Sequence, residues 1–172
     1  MALDFNSIPR ADSPKGSPSK GLRTGIAALV LSAGGLVGIL SHESYSPKAY
    51  IPVPGDVPTI GYGTTQGVHL GQTTTPVRAL QRAQEDIVKY EGAVKECVKV
   101  PLYQWEYDAY MSLAYNIGTG AFCKSTLVKK LNSQDYVGAC QEILRFNKMG
   151  GKVLPGLTSR RKDEYQKCIG VK

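Results

Sequence analysis

Cleaving a glycosidic bond takes a carboxylic acid that protonates the leaving oxygen, and a second group that supports the oxocarbenium ion or activates water. Three residues of this sequence are candidates for that division of labour: Glu43, Asp56 and Thr59. Glu43 follows the apolar Gly38-Ile39-Leu40, and apolar neighbours keep a carboxyl protonated by penalising its charged form. Asp56 is the one acid between Glu43 and Thr59, and behind Gly55 it serves equally well as a plain turn residue. Thr59 carries a hydroxyl that can hold water, although its β-branch also suits an ordinary strand. A Glu at a helix end is commonly just solvated, so the surrounding elements must decide.

The run before Glu43, residues 24–42, has no formal charge and is rich in Gly, Ala and Ser. It is open to three readings: a buried N-terminal helix, a cleaved signal peptide, or a weak uncleaved signal-anchor held by Arg10, Lys15, Lys20 and Arg23. The signal peptide fits least, because no clear cleavage site follows the run. Residues 1–23 read as a flexible basic tail with scattered Pro, Gly and Ser. Residues 50–65 are β-branched and aromatic, punctuated by Pro and Gly, which predicts a small exposed hairpin turning near Pro54-Gly55 and Gly61–Gly63.

From Thr75 the chain reads as helical. Thr75-Pro76 opens a helix whose apolar face is sketched by Val77, Leu80, Ile87, Val88 and Val94. Further helices are expected over 103–115, 125–131, 135–146 and 157–169, with a breaker at Asn116–Gly120. The fold class is therefore α+β: a small hairpin lobe, a larger helical lobe, and a cleft between them that suits a polymer.

The net charge of +7 calls for an anionic partner, but Lys and Arg are interleaved with acids rather than clustered with aromatics, which argues against nucleic acid. Cys97, Cys123, Cys140 and Cys168 show no CxxC and lie far in sequence from His42 and His69, so no zinc site and no other cofactor is expected. On spacing alone they are two disulfides or four buried thiols.

The stretch Glu43-Ser-Tyr-Ser-Pro-Lys-Ala-Tyr50, then Gly55, then Thr59-Ile-Gly-Tyr-Gly63, resembles the active-site signature of glycoside hydrolase family 24, the phage lysozymes. The resemblance continues through Ala114-Tyr-Asn-Ile-Gly-Thr-Gly-Ala-Phe-Cys-Lys-Ser-Thr-Leu127 and Gly150-Gly-Lys-Val-Leu-Pro-Gly-Leu-Thr-Ser-Arg-Arg161, ending in Cys168. It implies a lysozyme-like catalytic domain over 43–172, acting as a monomer on the β-1,4 bond between N-acetylmuramic acid and N-acetylglucosamine in peptidoglycan, with host lysis as the outcome. Glu43 would be its general acid, Asp56 and Thr59 would position water, and Tyr62 and Asn116 would bind substrate. Asn116 alternatively caps a helix. Arg160 and Arg161 flank the cleft or hold its floor by resemblance, but on their own read as a solvated pair or a salt bridge to Asp163 or Glu164. The family's block order pairs Cys97 with Cys123 and Cys140 with Cys168.

One departure matters. The family usually places Asp, sometimes Cys, nine residues after the Glu; here that position is Pro52, and the hairpin is one residue longer. Without a second carboxylate the alternatives are a lytic transglycosylase using Glu43 alone, or a silent wall-binding protein. Several family members are signal-arrest-release endolysins with a Gly/Ala-rich uncharged segment before the catalytic Glu, which residues 24–42 resemble. The resemblance implies anchoring in the host inner membrane, then release to the periplasm. With no Cys before Cys97, activation by thiol exchange is not expected, and refolding of the segment around Glu43 is.

Overall fold

The computed structural model describes residues 22–171. The tail expected over residues 1–23 lies outside them, apart from Leu22 and Arg23.

The uncharged run is not one helix. It begins as a strap: Thr24 pairs with Leu102 through two backbone hydrogen bonds, and a single 3-10 turn follows over Ile26–Ala28. Only Ala33–Ser41, α1, is α-helical, started by Ser32, whose hydroxyl accepts the Gly35 N–H. The break has a physical cause in partners from elsewhere in the chain. Glu91 accepts the Leu31 N–H at 2.7 Å, and Gln104 donates to the Val30 carbonyl at 2.8 Å, so the backbone there bonds outward instead of along a helix. Among the described residues no helix is long and apolar enough to cross a membrane.

Strands β1 (Ser46–Tyr50) and β2 (Thr59–Gly61) form an antiparallel pair, with Ser46 opposite Gly61 and Tyr50 opposite Thr59. The expected turn is present: the Asp56 N–H donates to the Val53 carbonyl, and Gly55 adopts φ +89°. The three prolines at 52, 54 and 58 lie between the strands, while Pro47 is accommodated within β1, an edge strand of a two-stranded sheet.

Helix α2 (Pro76–Cys97) starts at the Thr75 cap, and its buried face keeps Ile87 and Val94 of the expected set but not the other three. Ala79, Ala83, Ile87 and Val94 are buried, whereas Val77, Leu80 and Val88 are exposed. Small residues face inward because the hairpin sits directly on them; a Cβ at Gly61 would come within 2.7 Å of the Ala79 Cβ. The central helix α3 (Gln104–Ile117) is buried from Glu106 to Ala114. The expected breaker instead holds a short helix, α4 (Thr119–Cys123), and Gly118 at φ +83° makes the corner that separates it from α3. Helices α5 (Thr126–Asn132), α6 (Tyr136–Ile143) and α7 (Pro155–Cys168) follow close to expectation. Ser125 and Asp135 are the N-caps of α5 and α6, with side chains accepting from Val128 and Gly138 N–H. A tight hairpin precedes α7: β3 (Lys148–Met149) and β4 (Lys152–Val153), joined by Gly150-Gly151, both at positive φ.

The core fills the helical lobe with Val98, Leu102, Tyr107, Met111, Leu113, Phe122, Leu127, Leu131 and Ile143. Disulfides join Cys97 to Cys123 and Cys140 to Cys168, so the second ties α6 to α7.

Candidate active site

Glu43 stands two residues beyond α1, its N–H donating to the Leu40 carbonyl, so the helix end fixes its backbone. Helix α1 is itself fixed at its other end. Asp108 of α3 accepts both the N–H and the hydroxyl of Ser32, and Gly35 packs against the same carboxylate. Upstream, the Arg23 guanidinium makes paired bonds to Glu106 at 2.8 and 3.1 Å and lies 3.6 Å above the Tyr136 ring. The strap and α1 thus form one rod, clamped at its start and presenting Glu43 at its end.

The Glu43 side chain does not meet the apolar surroundings its neighbours in sequence suggested. Those residues turn away, Ile39 into the core, and Arg160 of α7 donates to Glu43 Oε1 at 3.2 Å. Arg160 and Arg161 are buried rather than solvated. The anticipated bridge to Glu164 is formed, with Arg160 Nε and Arg161 Nη2 each 3.2 Å from Oε1. Ser112 donates to that same oxygen at 2.7 Å. Burial pulls the Arg161 pKa down to about 10, which leaves it a cation at neutral pH, and burial pushes the Glu164 carboxyl up. Arg160 bonds two carboxyl groups at once, Glu164 through Nε and Glu43 through Nη1.

A cleft of about 650 Å³ opens above this floor, and Glu43, Asp56, Thr59 and Asn116 all line it. Asn116 lies in the last turn of α3 rather than at its cap, and its Oδ1 accepts from Arg161 Nη2 at 2.9 Å. Thr59 is buried, and its hydroxyl donates to the Val57 carbonyl at 3.2 Å, leaving its lone pairs to receive a hydrogen from water. Asp56 is exposed at the rim; its Oδ1 accepts the Val57 N–H at 2.9 Å, so it is a turn residue and a cleft residue together. Tyr62 does not line the cleft. The Gly61–Gly63 turn, both glycines at positive φ, packs its ring against Tyr45, and its carbonyl accepts from the Tyr115 hydroxyl at 3.3 Å. Those contacts link the hairpin to Tyr45 and to α3.

Sequence reasoning missed Asp86 and Lys89 of α2 as cleft residues. In sequence they look like any solvated helix face, and only the hairpin folding over α2 brings them to the cleft. The link from Glu43 to Arg160 spans 117 positions and left no local signal beyond two adjacent arginines.

Comparison with known proteins fits this arrangement. The phage lysozyme family model matches residues 40–164. The endolysin of Acyrthosiphon pisum secondary endosymbiont phage 1 is 42% identical over 138 residues, covering 78% of this chain and 94% of that protein. A SAR-endolysin of Pseudomonas phage phiKMV is 35% identical over 141 residues, covering 80% and 87%. Among solved structures, the endolysin from Escherichia coli O157:H7 phage FAHEc1 matches with a TM-score of 0.74 and 33% identity, covering 84% of this chain and 96% of that one.

Proposed function

The chain belongs to the phage lysozyme family and is a glycoside hydrolase of bacterial peptidoglycan, and on that premise we propose that Glu43 is its general acid. The observation that carries this reading is the pose of the carboxylate. Oε1 is held by Arg160, while Oε2 faces Gly63, where a Cβ would lie 3.4 Å away. One oxygen is thus fixed from behind and the other is turned to the hairpin side of the cleft. The glycosidic oxygen between N-acetylmuramic acid and N-acetylglucosamine would take its proton from Oε2. Thr59 and Asp56, on the opposite wall, would hold the water that attacks the sugar carbon, and Asn116, fixed by Arg161, would hold an acetamido or hydroxyl group.

The test is Glu43→Gln, which keeps size and one acceptor but removes the acid. Turbidity loss of purified sacculi should fall by about 10²- to 10⁴-fold, the range for lost acid–base assistance, with the thermal melt retained. Retention of more than about one part in twenty, several-fold above that range, sinks the assignment. Mass spectrometry of wild-type products should find reducing-end muramic acid; anhydro ends would mean transglycosylation.

For the anchor, the motive is the uncharged run 24–42 behind Arg10, Lys15, Lys20 and Arg23, together with the likeness to the SAR-endolysin of phiKMV. The folded α1 is nine residues and spans about 14 Å, against about 30 Å of hydrocarbon, so the run would insert only as a longer helix and then refold into the strap. Leu at Gly34 and Gly38 should strengthen insertion and hold the enzyme in the inner membrane after an uncoupler is added. Fractionation reads this out. Wild-type protein that is wholly soluble before depolarisation ends the anchor reading and leaves the hydrolase reading untouched.

A further inference from the structure

Among the described residues lining the cleft, Glu43, Asp56 and Asp86 carry carboxyl groups, and Lys89 is the single basic side chain. Lys89 has a side chain that is 59% exposed, open to a ligand, and two polar neighbours that direct it. Its Nζ donates to the Gln66 side-chain carbonyl and lies 3.6 Å from Asp86 Oδ1. Asp86 Oδ2 accepts from the buried Thr64 hydroxyl at 2.9 Å, and Arg82 donates to the backbone carbonyl of Gln66 at 2.7 Å, which fixes the chain there. An ammonium has three donors; here one is hydrogen-bonded, to Gln66, and Asp86 stands at ion-pair distance, which leaves donors for a ligand.

The sugars of the glycan are neutral. The fixed charge of peptidoglycan near the scissile bond is on the peptide stem that hangs from the muramic acid, and its free carboxylates find no attraction at the carboxyl groups of the cleft. Only at Lys89 does the lining attract them. We propose that Lys89 receives a stem carboxylate, so that the cleft reads the peptide as well as the sugar and sets which residue of the strand carries the cut. This rests on the hydrolase reading above.

The experiment is a cycle between enzyme and substrate. Soluble glycan strands with intact stems are used as they are, or after their carboxylates have been converted to amides, and kcat and KM are measured from released reducing ends. Amidation weakens the general attraction to a chain of charge +7 in every variant, so the informative quantity is the difference between variants. Amidation should raise the wild-type KM about five-fold more than it raises the KM of Lys89→Ala, the scale of a partly exposed charge pair. Lys89→Arg should keep the wild-type sensitivity. Equal responses of wild type and Lys89→Ala overturn the proposal, because a merely structural lysine would not sense the substrate's carboxylates. A wild-type enzyme that releases no reducing muramic acid from either substrate is a different failure, that of the hydrolase reading itself.

Discussion

Alanine should act in opposite directions on two adjacent glycines of α1. Replacing Gly within a helix gains up to about 1 kcal/mol, because the unfolded chain loses freedom and the helix gains a better former. At Gly34 nothing opposes that gain: the nearest atom to a new Cβ is Ser32 Oγ at 3.7 Å, an ordinary contact. At Gly35 the Cβ would lie 2.6 Å from Leu31 Cδ1 and 2.9 Å from Asp108 Cγ and Oδ1. Leu31 can turn aside. Asp108 cannot, because Ser32 and Gln104 hold its oxygens, so α1 must move instead. Overpacking of this kind costs about 1–3 kcal/mol, which exceeds the gain. At roughly 2–4 °C per kcal/mol for a chain of this size, Gly34→Ala should raise Tm by about 1–4 °C and Gly35→Ala should lower it by about 2–6 °C. Glu43 hangs from the far end of α1, so Gly35→Ala should also slow lysis of sacculi at 25 °C, well below either melt, while Gly34→Ala should not. Thermal melts and turbidity rates on the two variants decide it. If both raise Tm equally and lyse alike, α1 is not seated on Asp108, and the rod that positions Glu43 is misdescribed.

Asp56→Asn preserves the acceptor for the Val57 N–H, so it isolates charge from turn geometry; with Thr59→Ala, each should cost about 10²-fold in rate, and a normal rate for Asp56→Asn leaves it a turn residue only. Removing either disulfide, with sequence separations of 26 and 28, should lower unfolding free energy by about 3.5 kcal/mol in the chain-entropy model, read from urea melts with and without reductant. An unchanged urea midpoint in reductant would contradict it. Burial, and then Arg160, hold the His42 imidazole below its ordinary 6.5; the unfolded chain therefore binds that proton more readily, and stability should fall as pH drops through about 6.5. His42→Gln should flatten that slope in urea midpoints taken from pH 5 to 8. Burial raises the phenols of Tyr107, Tyr110 and Tyr115, so their stabilisation is full below about pH 10 and is lost above it as the unfolded tyrosines ionise; Tyr110→Phe should delay the alkaline fall, and an unchanged profile would refute it.

Features written in a few consecutive residues were legible in the sequence. Thr75-Pro76, Ser125 and Asp135 start helices because a cap is a bond between a side chain and the N–H two or three residues on. The hairpin turn at Pro54-Gly55 and the placing of Glu43 just past an apolar helix are local in the same sense, and the ordered motifs carried the cysteine pairing. What periodicity cannot report is what another element presents. The face of α2 that is buried runs through Ala79 and Ala83 because Gly61 rests there, so a stripe of small residues outranks the larger Val77, Leu80 and Val88. The uncharged run breaks at Leu31 and Ser32 because Glu91 and Asp108, 60 and 76 positions away, take the N–H groups that a continuous helix would have kept. Glu43 faces a guanidinium from α7 rather than its apolar neighbours in sequence, because the packing of α7 brings Arg160, 117 positions away, to 3.2 Å from its Oε1. The candidate acid, Glu43, was legible in sequence; its partner, its orientation and the other residues of its cleft were decided only when α7, the hairpin and α2 packed around it, because those contacts join positions far apart in the chain.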